Sequence, residues 1–149
     1  MSVSVVMDVS NDGGANDTFP EATLSEQEAR NQLQQAGITV NKNSCPEGVK
    51  YQDVSGGCTS LGGMRASSIE GAKQLKKDCD CTVIVTDGTE KGHSTLGTKI
   101  HENGYKLDFA RNNTLDSYIT NNYTYIGIRG GDGAKLYNGM RNFKSCVII

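Results

Sequence analysis

The order of its secondary-structure patterns most constrains the fold of this chain. Two segments with helical spacing of apolar residues lie in the first half, whereas most segments with strand character lie in the second. Ser25 and Glu28 have the spacing of a capping box and Gly37 supplies a stop, so we expect a helix near 25–36. Apolar residues at helical spacing predict a second helix at 65–78. This order has too few βα alternations for a parallel doubly wound sheet and favours an α+β fold.

The predicted strands have β-branched or alternating apolar residues and end at turn-forming residues. The run CTVIVTDG contains a buried strand at 81–86, ended by Asp87 and Gly88. YKLDFA, at 105–110, is a further strand. The other predicted elements are a short strand at 38–40, a short helix after Asn112-Asn113, two strands joined at 130–133, and a terminal strand in NFKSCVII.

Residues 1–22 differ in composition from the rest of the chain. Residues 10–22 are small, polar and turn-forming, and we expect an N-terminal arm or linker, or a short strand and a linker, before one domain at 23–149. A chain of 149 residues is near the usual size of one domain. The opening MSVSVVMDVS lacks a positively charged segment, and no apolar run approaches the roughly 20 residues that span a bilayer. We expect neither a signal peptide nor membrane insertion.

The charge of the chain excludes one class of partner. There are 15 basic and 17 acidic residues, which gives a formal net charge of -2. No basic stripe and no run of basic residues interleaved with aromatic ones offers the charge that neutralises nucleic-acid phosphates. We therefore expect no nucleic-acid partner, and we expect a monomer.

The five cysteines are too few for a disulfide scaffold, and their odd number leaves at least one unpaired. Cys45 and Cys58 flank a glycine-containing segment and could form a disulfide in an oxidising compartment. Cys79-Asp80-Cys81 is too short for the CxxC pattern of redox or zinc sites. Spacing alone leaves one disulfide and none as open alternatives.

Both histidines of the chain, His93 and His101, lie in the stretch GHSTLGTKIHENGYKLDFA. Alternation in YKLDFA sends Tyr105, Leu107 and Phe109 to one face of a strand and Lys106 and Asp108 to the other. A turn at 102–104 can fold His101 over the face of Asp108, and Gly104 allows the positive φ that such a turn needs. An imidazole and a carboxylate that converge in this way suit Zn²⁺.

The pattern His101-x-x-Gly104-x-x-x-Asp108 resembles the H-x-x-G-x-A-x-D core of the zinc D,D- and L,D-peptidases. That family includes D-alanyl-D-alanine carboxypeptidases and phage L-alanyl-D-glutamate endolysins, and it shares a fold with the Hedgehog signalling domain. The surrounding CTVIVTDGTEKGH and HENGYKLDF are similar to a phage or mobile-element branch of the family, over about residues 58–140. The resemblance implies a small, mostly antiparallel sheet with two or three helices packed on it.

The resemblance also implies an activity. The chain would be a zinc metallopeptidase that hydrolyses peptidoglycan stem peptides, as a carboxypeptidase or an endopeptidase, at the bacterial cell wall or in the periplasm. His101 and Asp108 would be two of three protein ligands to zinc, with water in the fourth position. Arg65 would anchor a substrate carboxylate, although a surface arginine at a helix start is an equal alternative. Ser94 would hydrogen-bond substrate, or be only a loop residue.

The sequence departs from the family after Asp108, where it has neither another His nor any Glu. The family's C-terminal E-x-x-H, which supplies a general base and the third ligand, is therefore not found. Cys146 could serve as a thiolate ligand, or His93 could be the third ligand with Glu90 or Glu102 as the base. Alternatively the site is incomplete, and the chain is an inactive relative that binds cell-wall peptide or metal without turnover. A C-terminal segment altered by truncation or a frame change is a further explanation.

Overall fold

The fold is α+β, with three α-helices and two β-sheets among the residues that the structure describes. In this computed structural model they are residues 2–7, 22–96, 100–128, 130, 133–138 and 143–148. The helices are α1 (Glu26–Gln35), α2 (Ala66–Cys79) and α3 (Asn113–Asn122), and a 3-10 turn, η1, spans Tyr51–Asp53. The strands are β1 (Ser2–Met7), β2 (Thr23–Leu24), β3 (Thr39–Val40), β4 (Met64–Arg65), β5 (Ile84–Asp87), β6 (Lys106–Ala110), β7 (Thr124–Ile128), β8 (Lys135–Asn138) and β9 (Phe143–Ile148).

Local capping signals define the helix ends. Ser25 Oγ accepts a hydrogen bond from the Glu28 backbone N–H at 3.2 Å, as the predicted capping box requires. Gly37, with φ of +80°, follows the C-terminal end of α1. The helices predicted near 25–36 and at 65–78 are confirmed as α1 and α2. None of the described helices combines the length and the apolar character needed to cross a membrane.

The main sheet has seven strands within the described part of the chain, in the order β3-β5-β6-β1-β9-β8-β7. A second sheet pairs β2 with β4. These strand pairs are antiparallel except for β3 and β5, which are parallel. The predicted α+β class, with a mostly antiparallel sheet and three helices, is therefore confirmed at this coarse level.

β1 lies in the middle of the main sheet, between β6 and β9. Of the alternatives for residues 1–22, a short strand is therefore found at Ser2–Met7, and it belongs to the sheet of the domain rather than to a separate arm. Residues 8–21 lie outside the described residues. The placement of β1 was not predicted because its pairing partners, β6 and β9, are remote in sequence and local composition does not reveal them.

The hydrophobic core joins the helices to one face of the sheet. Leu107 and Phe109 of β6 are fully buried in it, as the two-residue alternation predicted. The helices contribute Leu33, Leu75 and Ile119, among others. Each such side chain stabilises the fold by about 1.5–3 kcal/mol through burial of apolar surface. Asp108, between the two buried residues of β6, consequently points to the opposite face.

Two disulfides are present among the described cysteines. Cys45 and Cys58 are bonded, with a sequence separation of 13, which resolves the alternative that the spacing left open. Cys79 and Cys81 are also bonded. This second bond was not predicted, because it depends on Asp80, whose left-handed φ of 47° turns the chain back just after α2.

Candidate metal centre

A tight turn before β6 places His101 over the sheet. The Gly104 N–H donates to the His101 carbonyl at 2.9 Å, and Gly104 has φ of +80°. A Cβ atom at Gly104 would lie 2.5 Å from the Gly63 carbonyl oxygen, so a side chain does not fit there. Ser68 Oγ at the start of α2 donates to the Gly104 carbonyl at 2.7 Å. The turn is therefore packed against α2, and glycine is needed at 104 for both conformation and space.

His101 and Asp108 come together as the motif predicted. His101 Nε2 lies 3.4 Å from Asp108 Oδ1, and both residues are buried. His101 Nδ1 lies 2.9 Å from the Gly88 carbonyl oxygen. Because a carbonyl only accepts, Nδ1 carries the proton of that hydrogen bond, and Nε2 faces Asp108. Histidines that bind metals through one nitrogen commonly donate from the other to a carbonyl in this way.

The charge of Asp108 controls the protonation of His101. Burial by itself lowers the pKa of His101, but the adjacent Asp108 carboxylate, the Gly88 carbonyl and the charge of Glu90 outweigh it. The pKa of His101 is consequently raised above its ordinary value. Without a metal, the imidazolium form is favoured over a wider range of pH than in an exposed histidine.

His93 lies against His101 from the neighbouring loop. The two imidazole rings stack with centroids 4.1 Å apart and an interplanar angle of 24°. The Tyr51 ring stacks on the other side of His93, at 4.5 Å and 21°. His93 Nε2 also contacts Glu90 Oε2 and lies 3.9 Å from Asp87 Oδ1. His93 is therefore held between an aromatic ring, a second imidazole and two carboxylates.

The Glu90 carboxylate is enclosed and already oriented. Its side chain is 0% exposed, and Oε1 accepts hydrogen bonds from the Ser60 N–H at 2.8 Å and the Gly88 N–H at 2.9 Å. Burial raises the pKa of Glu90, but the hydrogen bonds from His93 and from the backbone N–H groups of Gly88 and Ser60 outweigh it, so that the pKa is lowered. Glu90 is therefore ionised at neutral pH.

Glu90, His93 and His101 are close enough to bind one metal ion. Each offers a ligand atom, and these atoms lie within 4.8 Å of one another. His101 and His93 were predicted as ligands and Glu90 as a base, and the three are found in one cluster. Asp108 adjoins this cluster through His101. We use "metal centre" below as the name of this candidate site, meaning the cluster of Glu90, His93 and His101 together with the adjacent Asp108.

Asp87 belongs to the same surroundings and was not predicted. It pairs in register with Asp108 across β5 and β6, and its Oδ1 lies 3.7 Å from Lys42 Nζ. Burial, followed by the charges of Asp108 and Glu90, raises the pKa of Asp87 against the opposing effects of Lys42 and the Thr86 hydroxyl. The sequence offered one signal, a carboxylate at the end of a buried strand just before the histidine loop. The register shift between Val85 and Asp87, which sets its position, cannot be read from sequence.

The other predicted site residues lie outside the cluster of Glu90, His93 and His101. The Arg65 guanidinium lies over the Tyr105 ring, 4.2 Å from its centroid. Ser94 is exposed, and its Oγ accepts from the Leu96 N–H at 3.3 Å. Glu102 is partly buried in the turn. Their functional roles stay predictions.

Cys146 is part of β9, where the backbone alone is described. Its register partner on β1 is Val5, which pairs in turn with Leu107. The row of Asp108 instead contains Ser4 and Val147. The Cys146 side chain lies outside what the structure describes, and its role as a ligand stays a prediction.

Comparisons of the chain with protein-family models, curated proteins and solved structures found no match. The peptidase interpretation therefore depends on the His101-x-x-Gly104-x-x-x-Asp108 motif and on the chemistry of the residues around it.

Proposed function

We propose that the chain is a zinc-dependent peptidase with a Hedgehog-like fold that cleaves peptidoglycan stem peptides. The observation that carries the proposal is the convergence of His101, His93 and Glu90 within ligand distance, with Asp108 beside them. The substrate class comes from the motif resemblance, whereas the metal comes from the donor atoms. These two parts can be tested separately.

The donor set supports a transition metal such as zinc. Zinc–ligand bonds of about 2.0–2.1 Å in a tetrahedron separate neighbouring ligand atoms by roughly 3.3 Å. His101 Nε2 and Asp108 Oδ1, 3.4 Å apart, have nearly this spacing. Two imidazoles also disfavour Mg²⁺ and Ca²⁺, which prefer oxygen ligands. Two histidines and a carboxylate are a common ligand set of catalytic zinc, which leaves one position for water.

The residues divide into ligands and groups that handle protons and substrate. His101 and His93 would bind the ion with Glu90 or Asp108 as the third ligand. Bound zinc would polarise the carbonyl of the substrate and lower the pKa of a bound water. Asp87, whose pKa is raised above its ordinary value, is a carboxylate that would accept and return a proton more readily than an exposed aspartate does. Glu102 is the alternative base retained from the sequence.

The contacts of Arg65 support a role for this residue in holding substrate. Its backbone N–H donates to the Gly104 carbonyl at 3.4 Å, so the arginine and the His101 turn are directly linked. The stacked Tyr105 ring limits the orientations of the guanidinium. An arginine fixed in this way is suited to bidentate binding of a peptide carboxylate.

A second candidate function is metal or peptide binding without turnover. It is favoured by Glu90, whose two oxygens already accept hydrogen bonds from Ser60 and Gly88 and contact His93. A carboxylate engaged in this way is suited to orient His93 and is less available to relay protons. The chain would then keep the metal centre and bind cell-wall peptide without cleaving it.

Zinc titration and peptidoglycan digestion test both candidates. At a zinc concentration of 100 times Kd, binding stabilises the protein by about 2.7 kcal/mol. For a chain of this size that corresponds to a rise in Tm of roughly 5–10 °C. We expect His101→Ala to abolish the rise and Glu102→Gln, outside the cluster, to retain it. Without a rise in the wild type, the metal site is wrong. If zinc binds but purified peptidoglycan is not cleaved, the second candidate holds.

A further inference from the structure

The loop closed by the Cys45–Cys58 disulfide contacts the metal centre. This disulfide loop, residues 45–58, contains η1, and none of the residues of η1 is buried. Its position is therefore not fixed by the hydrophobic core. Instead, the loop is held by the covalent bond at its ends and by a few polar contacts. The contacts from Tyr51 and Gln52 reach the segment that carries Glu90 and His93.

The middle of the disulfide loop is bound to the backbone next to His93. The Tyr51 N–H donates to the Lys91 carbonyl at 2.9 Å, and Gln52 Nε2 donates to the Gly92 carbonyl at 2.8 Å. The approach is close, because a Cβ atom at Gly92 would lie 2.0 Å from Gln52 Oε1 and 2.8 Å from Tyr51 Cδ1. Gly92 also has φ of +116°, which favours glycine. The backbone on both sides of the Lys91–Gly92 peptide is thus set by this loop.

The Tyr51 side chain continues the contact to the histidines. Its ring stacks on His93, and His93 stacks on His101, so three rings lie in one column. An aromatic pair of this kind contributes about 0.5–1.5 kcal/mol beyond burial. Tyr51 therefore limits the rotation of the His93 ring without contacting a metal ion itself.

The C-terminal end of the disulfide loop leads directly to the contacts of Glu90. Cys58 is followed by Thr59, whose hydroxyl donates to the Thr86 carbonyl at 2.6 Å. The Ser60 N–H donates to Glu90 Oε1 at 2.8 Å, and the Ser60 carbonyl accepts from the Thr89 N–H at 2.6 Å. One disulfide-closed segment thus adjoins two of the three residues in the cluster.

We infer that the disulfide loop is the positioning element of the metal centre: Tyr51 and Gln52 hold His93, and the Cys45–Cys58 bond holds Tyr51 and Gln52. This inference rests on the proposed zinc site. Loss of the disulfide lets the loop sample many conformations, and the stack on His93 is lost with it. Outer-shell partners of metal ligands typically change metal affinity by about 10- to 100-fold.

The test compares two disulfide variants in the full chain. Zinc affinity is measured by competition with a chromophoric chelator, and Co²⁺ absorption reports the coordination geometry. We expect Cys45→Ser with Cys58→Ser to weaken zinc binding by about 10-fold or more and to alter the Co²⁺ spectrum. Cys79→Ser with Cys81→Ser removes the other disulfide, away from the metal centre, and should leave both readouts unchanged. Equal effects of the two double variants would overturn the inference.

Tyr51 variants keep the inference testable if the serine variant of the first disulfide does not fold. We expect Tyr51→Ala to weaken zinc binding by about 10-fold and Tyr51→Phe, which keeps the stacked ring, to restore it. If Tyr51→Ala binds zinc as tightly as the wild type, the positioning role is wrong while the metal site stands. If the wild type binds no zinc, both proposals are wrong.

Discussion

His101 and His93 lie side by side, yet they are held by different kinds of contact. His101 belongs to a turn in which the Gly104 N–H donates to the His101 carbonyl, and the hydroxyl of Ser68 in α2 donates to the Gly104 carbonyl. His93 belongs to a segment whose position depends on Tyr51 and Gln52, which are remote in sequence. The backbone at His101 is thus set by a local turn, whereas the backbone next to His93 is set by contacts with a segment that is remote in sequence.

The surroundings of the two histidines should therefore tolerate change to different degrees. The turn at His101 adjoins the core and β6, so it persists as long as the domain is folded. The His93 segment adjoins a loop with few buried residues, and such regions open at lower free energy than the core does. We therefore expect changes at the two histidines, and around them, to have separable effects.

The largest expected effects are the losses of zinc affinity when one histidine or the other is removed. His101 contacts both His93 and Asp108, so His101→Ala should lower zinc affinity by more than about 100-fold, beyond the usual effect of an outer-shell partner. His93→Ala leaves His101, Glu90 and Asp108, and should lower affinity by about 10- to 100-fold. The measurement is chelator competition at pH 7.5 or so. A larger loss in His93→Ala than in His101→Ala would reverse the assignment of the main ligand.

A single methyl group at Gly104 should have the next largest effect. Gly104→Ala places a Cβ against the Gly63 carbonyl at a positive φ, and we expect it to lower the free energy of unfolding by about 3 kcal/mol. Gly48 is a matched control, because it has φ of +77° and nothing within 4 Å of a Cβ. Gly48→Ala should therefore show only the conformational part, about 1–2 kcal/mol. Urea unfolding of the metal-free variants measures both, and equal losses would contradict the role of the close contact.

The same difference explains how much could be predicted from sequence. The His101 turn, the cap at Ser25 and the buried faces of β6 depend on residues a few positions apart, and local patterns revealed each of them. The pairing of His101 with Asp108 followed from that turn and from strand alternation. In these cases the contact is closed within one element or one turn, and the local pattern was sufficient to predict it.

Apart from the Cys79–Cys81 bond, which depends on the left-handed Asp80, the contacts that sequence did not reveal join distant segments. Tyr51 and His93, whose rings stack, are more than 40 residues apart in sequence. Gln52 and Gly92, which share a hydrogen bond, are separated by 40. The central position of β1 depends on both β6 and β9, and the position of Asp87 depends on a register shift in β5. None of these leaves a periodic pattern in the chain, because each is decided by which surfaces pack together in the folded domain.

The protonation of His101 makes zinc affinity dependent on pH. A histidine binds a metal only when its donor nitrogen is deprotonated, and the raised pKa of His101 means that protons compete with zinc above the ordinary value of 6.5. Zinc affinity should therefore fall by about tenfold per pH unit below the pKa of His101. Asp108→Asn removes the neighbouring charge and should move the onset of this fall to lower pH. An unchanged onset in Asp108→Asn would show that another group controls the titration.

Substitution of Asp87 should have the smallest effect, and it should stabilise the metal-free protein rather than destabilise it. Its pKa is raised in the folded chain, so the folded state binds more protons than the unfolded state just above the ordinary value of 3.8. Stability of the metal-free protein is therefore lost as pH rises through the range between the ordinary and the raised pKa. Asp87→Asn cannot ionise, and at neutral pH with EDTA it should be more stable than the wild type by up to about 1 kcal/mol.

Measurement of stability at low pH is the control for Asp87→Asn. Well below pH 3.8 the wild-type carboxyl is protonated in both states, and the difference between wild type and Asp87→Asn should vanish there. With zinc present the sign should reverse, because the variant has lost a negative charge beside His93 and the cation. Thermal unfolding at several pH values, with EDTA and with zinc, measures both signs. A variant that is less stable than the wild type in EDTA would mean that the contact with Lys42 outweighs the repulsion from Asp108 and Glu90.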